Sequence, residues 1–139
     1  MVNSTYCIKH YQTIKTSDKI YMMQEYANCF DLATLLEQRG PLKQEEARKI
    51  MKQLVRGIID VSEQKIVHRD MKLSNILLHF PDKIQLEQLN KNQKHLFLKQ
   101  VDLQTIDFEI KISDFGLSTV LDGTQSQLSI VGTPLYQSP

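Results

Sequence analysis

The chain has 139 residues, enough for one domain, and its 41% hydrophobic and 24% charged content is ordinary for a globular protein, which excludes a disordered or fibrous class. Seventeen basic and sixteen acidic residues leave a net charge of +1, so no long-range field selects nucleic acid or an anionic membrane as partner. No apolar run reaches the roughly 18 residues of a membrane span, and Cys7 and Cys29 fall in no CxxC or Cys/His cluster; the expectation is a cytoplasmic protein with two small buried thiols.

Residues 6–14 and 20–26 are rich in β-branched and aromatic types and flank the turn-forming Thr16-Ser17-Asp18-Lys19, which predicts an antiparallel strand pair. Asp31 is placed to cap a short helix through Leu32, Leu35 and Leu36, ended by Gly40 and barred from continuing by Pro41. Over about 43–63 the apolar residues Ala47, Ile50, Met51, Leu54, Val55, Ile58, Ile59 and Val61 recur largely at three- and four-residue spacing. With Glu45 and Glu46 in the first turn, where the helix dipole favours anions, this predicts a long helix with one buried face. A polar loop and a short apolar run (Ile76, Leu77, Leu78) follow. Residues 79–104 are rich in lysine and glutamine and read as a surface insertion between two short strands, a variable loop dispensable for activity. The alternation at Leu96 and Leu98 leaves an extended hairpin open there. Ile106, Phe108, Ile110 and Ile112 alternate as a strand does.

Two segments carry the chemistry: Val67-His68-Arg69-Asp70-Met71-Lys72-Leu73-Ser74-Asn75 and, later, Asp114-Phe115-Gly116. Alone, each of these residues is more often a cap, a turn or a loop residue. Jointly and in this order, they resemble the catalytic loop and the magnesium-binding segment of eukaryotic serine/threonine protein kinases. A seryl hydroxyl is a weak nucleophile, so a carboxylate must orient it and accept its proton, and the resemblance gives that role to Asp70. Lys72 would contact the negatively charged phosphoryl group in transit, as a lysine there does in serine/threonine kinases. Asn75 and Asp114 offer the hard oxygens that magnesium prefers, and would hold the metal that bridges the phosphates of ATP.

The resemblance spans the chain and implies an α+β, protein kinase-like fold that is incomplete. Residues 1–30 would be the end of the amino-terminal lobe's sheet and the hinge; residues 31–139 would be the first part of the mainly helical carboxy-terminal lobe, through the activation segment, with the insertion at 79–104. Gln24 occupies the gatekeeper position, and the backbone of Glu25 and Ala27 would meet adenine. Asp31 would face the ribose as well as cap its helix, and Leu77 would lie under the adenine ring. His68 and Phe115 would pack together as part of an internal spine. Thr133, in a segment (Gly132-Thr133-Pro134-Leu135-Tyr136) similar to that of autophagy-initiating kinases, would hydrogen-bond the Asp70 and Lys72 pair. Ser129, four residues before Thr133, has the spacing of an activating phosphorylation site filled by an upstream kinase or by self-phosphorylation, with Arg69 as the matching cation. Leu117 resembles the residue of kinases that prefer serine to threonine.

The family's Gly-rich loop, its strand lysine and that lysine's glutamate partner have no counterpart among these residues, nor do the helices that follow the activation segment. His10 stands where an apolar spine residue is usual. The expectation is therefore an ATP- and magnesium-dependent kinase acting on serine or threonine of protein substrates, present as a fragment inactive alone. The alternatives are a pseudokinase or kinase-like scaffold without turnover, and an independent small binding module.

Overall fold

The structure, a computed structural model, describes residues 2–121 and residue 133. The first β-rich runs form an antiparallel hairpin of β1 (His10–Lys15) and β2 (Ile20–Gln24), with Lys15 opposite Ile20. Its turn is closed by Thr16 N donating to Lys19 O at 2.8 Å and Lys19 N donating to Thr16 Oγ1 at 3.1 Å. The first strand starts at His10 rather than Tyr6 because the backbone before it is committed elsewhere. Ile112 N donates to Tyr6 O at 2.7 Å and Ile8 N donates to Ile112 O at 2.9 Å, tying this segment to the far strand.

The two predicted helices are present. α1 (Leu32–Arg39) is capped by Asp31, whose Oδ1 accepts from Thr34 N at 2.8 Å. It ends at Gly40, whose φ of +76° is open to glycine and strained for other residues. α2 (Gln44–Glu63) buries Ile50, Gly57 and Val61, and its Glu46 accepts from Lys43 N at 3.0 Å and from the Arg39 guanidinium at 2.7 Å. Gly57 is the point of closest approach: a methyl there would stand 2.9 Å from Ile112 Cδ1 and 3.0 Å from Tyr6 Cβ. Leu54 is partly buried against the core, while Met51, Val55, Ile58 and Ile59 remain at least 40% exposed.

Four short strands then frame the centre of the molecule. β3 (Ile66–Val67) pairs with β6 (Thr119–Val120), and β4 (Ile76–His79) pairs with β5 (Glu109–Ile112), Ile76 opposite Ile112. The predicted 106–112 strand is thus shorter at its start. The α+β class expected from the sequence holds.

Residues 79–104 differ from the expectation of a variable loop or a hairpin. After a short 3-10 turn they form α3 (Lys91–Gln100), with Asn90 Oδ1 accepting from Gln93 N and Gln93 Oε1 accepting from Asn90 N, both at 3.0 Å. Phe80, Leu86, Leu98 and Leu103 are at most 2% exposed and belong to the main core, where α3 packs on α1. Leu96, by contrast, is 55% exposed, so its alternation with Leu98 marks one buried position on a helix and not a strand. Removing this stretch would strip the core, and it is not dispensable to the fold.

Candidate active site

Asp70 is the centre of the site. It follows β3 on an irregular loop that a 3-10 turn, Leu73–Asn75, closes onto β4, and its side chain is 7% exposed. Lys72 Nζ donates to its Oδ2 at 2.7 Å, and Asn75 Nδ2 donates to the same oxygen at 3.1 Å and to the Asp70 carbonyl at 2.8 Å. Thr133 donates twice to Oδ1, from Oγ1 at 2.6 Å and from its backbone N at 3.1 Å, while Thr133 Oγ1 accepts from Lys72 Nζ at 3.1 Å. The Lys72 ammonium first, and then the Thr133 donors, hold the Asp70 carboxyl down to about 2 from an ordinary 3.8, against the opposing pull of burial. The sequence expectation that Thr133 meets the Asp70 and Lys72 pair agrees with this geometry.

The flanking residues lock the loop to the segment after β5. Asp70 N donates to His68 Nδ1 at 3.2 Å, so Nε2 carries the imidazole proton and donates it to Ser113 O at 2.9 Å. Ser113 donates to the Asn75 carbonyl from both its N (2.8 Å) and its Oγ (3.0 Å), which sets the next residue, Asp114, beside the loop that carries Asp70. Asp114 and Arg69 both have left-handed backbones, at φ of +63° and +65°, conformations that side chains other than glycine adopt only where the surroundings hold them. Asp114 Oδ1 accepts from Gly116 N at 3.4 Å, and Arg69 Nε donates to Leu117 O at 2.6 Å. The His68 and Phe115 rings meet edge to face at 4.7 Å, the contact expected of a spine.

Beside this cluster lies a cleft of about 670 Å³, lined among others by His10, Gln24, Leu77, Asp114 and Phe115. Leu77 and Asp114 therefore come together, while Glu25, Ala27 and Asp31 do not line it; Asp31 bridges to Leu77 through the backbone instead. The Glu25 N–H is engaged by Lys9 O at 2.8 Å, which leaves its carbonyl as the backbone group to offer a ligand. His10, in place of an apolar residue, bonds Thr13 Oγ1 at 2.9 Å. Ser129, with Thr124 and Ser126, lies outside the described residues.

Three features escaped the sequence reading. Lys111, between Ile110 and Ile112, is 3% exposed. Its Nζ meets Glu25 Oε1 at 3.0 Å, Glu109 Oε2 at 2.9 Å and Thr5 O at 2.7 Å. Burial alone would lower its pKa, but the two carboxylates outweigh burial and raise it. Ser113 and the buried Asn28 were unremarkable as residue types, and only Lys111, opposite in charge to Glu25 and Glu109, had a signal in the sequence.

The donor set suits magnesium. The Asn75 amide is oriented by two acceptors, so its Oδ1 faces away from Asp70, and Asp114 adds a carboxylate from the adjoining segment. Among the described residues no group of three or more His, Cys, Asp or Glu could hold a metal unaided. Two oxygens suffice for an ion that keeps waters and takes phosphate oxygens as its other ligands. No helix among the described residues is long and apolar enough to cross a membrane.

A family model of the protein kinase domain matches residues 1–139. Similar curated proteins include serine/threonine-protein kinase 33 of Mus musculus, 30% identical over 141 residues that cover 99% of this chain and 25% of that protein. NUAK family SNF1-like kinase 2 of Homo sapiens is 31% identical, over 99% of this chain and 18% of its own length. The carbon catabolite-derepressing protein kinase of Candida tropicalis is 30% identical, over 100% and 18%. The chain thus spans a quarter or less of these relatives.

Proposed function

Since the chain belongs to the protein kinase domain family, and its relatives include serine/threonine kinases, we propose that it carries the catalytic centre of an enzyme that transfers a phosphoryl group from magnesium-ATP to serine or threonine hydroxyls of proteins. The observation that carries this reading is the Asp70 carboxylate, ionised and held between Lys72 and Thr133. A group so acidic is a weak base in the ground state. Its task is to orient the acceptor hydroxyl and to take the proton as the new oxygen–phosphorus bond forms and the bond to ADP breaks, late enough that basicity matters less than position.

Lys72 neutralises charge on the group in transit, and Thr133 keeps Lys72 and Asp70 in register. Asn75 and Asp114 are the residues that would hold magnesium, whose charge offsets that of the ATP phosphates. Adenine would be met by the Glu25 carbonyl and the Ala27 backbone with Leu77 beneath it, and the ribose by Asp31. Phosphorylation of Ser129, by an upstream kinase or by the enzyme itself, would bring a phosphate to Arg69 and order the loop around Asp70.

These residues form part of a larger catalytic domain in our reading. Tyr11, Ile20, Tyr21 and Met22 on the hairpin are all more than half exposed, apolar surface that further protein suits better than water. A cytoplasmic setting agrees with two free cysteines, whose thiols burial pushes up, that of Cys7 to about 11. The deciding experiment is phosphate transfer to a serine peptide by the complete kinase chain with magnesium-ATP. Transfer abolished by Asp70→Asn supports the reading; a wild-type chain that binds partners but transfers nothing establishes the pseudokinase alternative.

A further inference from the structure

Alternate residues of the segment joining β2 to α1 are each gripped by a different part of residues 79–95. The Tyr26 hydroxyl accepts from Lys94 Nζ at 3.1 Å, and the ammonium stands 5.6 Å from the ring centroid. Asn28, 1% exposed, uses its side chain as a strand uses its backbone: Nδ2 donates to Phe80 O at 2.8 Å, and Phe80 N donates to Oδ1 at 2.9 Å. The Phe30 ring lies 4.6 Å from the His95 imidazole on α3. Leu78 continues the same attachment, its N donating to Phe30 O at 2.7 Å and its carbonyl accepting from Cys29 N at 3.1 Å.

These contacts are of kinds that fix position. A buried amide with both ends paired has one orientation, because turning it would bury two unpaired groups. The ring contacts and the Lys94 cation add direction to what would otherwise be a connecting loop. Glu25 and Ala27 lie within or beside the segment so held. A ligand that reads their backbone gains affinity when those groups are already in place, since the ordering cost has been met before binding.

We propose that residues 79–104 brace the nucleotide-binding segment through α3, with Asn28, Lys94 and His95 as positioning residues for ATP. The proposal rests on the reading of Glu25 and Ala27 as adenine contacts. Because the brace touches neither Asp70 nor Asp114, it governs the KM for ATP and leaves kcat alone.

The test uses the complete kinase chain. Asn28→Ala leaves the Phe80 backbone unpaired and endangers folding, so the half-buried pair Lys94→Ala with His95→Ala is the informative variant, and Leu96→Ala with Lys99→Ala, exposed on the same helix, is the control. The expected result is a KM for ATP raised about three- to tenfold, with kcat and the peptide KM within about twofold. Hydrogen exchange at the amides of residues 25–30 should accelerate, and Lys94→Arg, which keeps the cation, should have a KM for ATP close to that of the wild type. An unchanged KM for ATP, or an equal rise in the control, overturns the brace alone, provided that the wild type binds magnesium-ATP. A wild-type chain with no such binding overturns the kinase reading and the brace with it.

Discussion

Asp70 and Asp114 are both carboxylates of one site, yet the protein treats them in opposite ways. Asp70 is buried and accepts from Lys72, Asn75 and two donors of Thr133, so its charge is balanced and its direction set before any ligand arrives. Asp114 sits on a left-handed backbone at the edge of a cleft, and among the bonds found for its side chain is a long 3.4 Å contact from Gly116 N. Protein donors preorganise the first carboxylate; the second is presented to the cleft, where a cation from outside can supply what the protein does not. The difference suits the division of labour proposed above, in which Asp70 would handle a proton and Asp114 a metal.

The strongest attempt to break this distinction replaces each carboxylate in the complete kinase chain. Asp70→Asn should lower kcat by about 10²–10⁴-fold while leaving the Kd for magnesium-ATP nearly unchanged. Asp114→Asn should weaken magnesium-ATP binding as well, so equal losses of binding in both variants, measured by nucleotide titration, would erase the distinction. Thr133→Ala removes a hydroxyl that bonds both Asp70 and Lys72, and a fall of about tenfold in kcat is expected in steady-state kinetics.

A titration sharpens the same point. Followed by carbon-13 NMR of its carboxyl, Asp70 should stay ionised to well below pH 3.8 and protonate near 2, and Lys72→Met or Thr133→Ala should move that midpoint upward. Because the folded value is depressed, the stability contributed by this ionisation is present above about pH 3.8 and is lost as pH falls through about 2. The smallest effect concerns Leu117, the residue whose carbonyl Arg69 holds. Matched peptide substrates should be phosphorylated a fewfold faster on serine than on threonine, and Leu117→Ser should narrow the gap.

Residues 67–75 and 114–116 stood out because the family they resemble has particular residue types at fixed short spacing, a pattern that survives any change in the surrounding chain. The stretch 79–104 was not legible for the converse reason. Its most deeply buried members, Phe80, Leu86, Leu98 and Leu103, are spread among lysines and glutamines, so the stretch shows no sustained helical or strand period. Lys111 escaped because alternation assigns a lysine between two isoleucines to solvent, whereas Glu25, distant in sequence, makes its burial tolerable.

The residue pattern alone carried what is local: a hairpin turn, a short helix with its Asp31 and Gly40 ends, a long amphipathic helix, and side chains of the types that can hold a metal, a phosphate or a proton. Those follow from short-range sterics, from periodicity and from chemistry carried in single side chains. The contacts that no residue pattern announced came from packing: Lys111 reaches Glu25, and α3 reaches the segment between β2 and α1, across separations of 86 and up to 68 residues. Contacts of that range depend on how buried surfaces are shared among elements, a property of the whole packed chain that no local window contains.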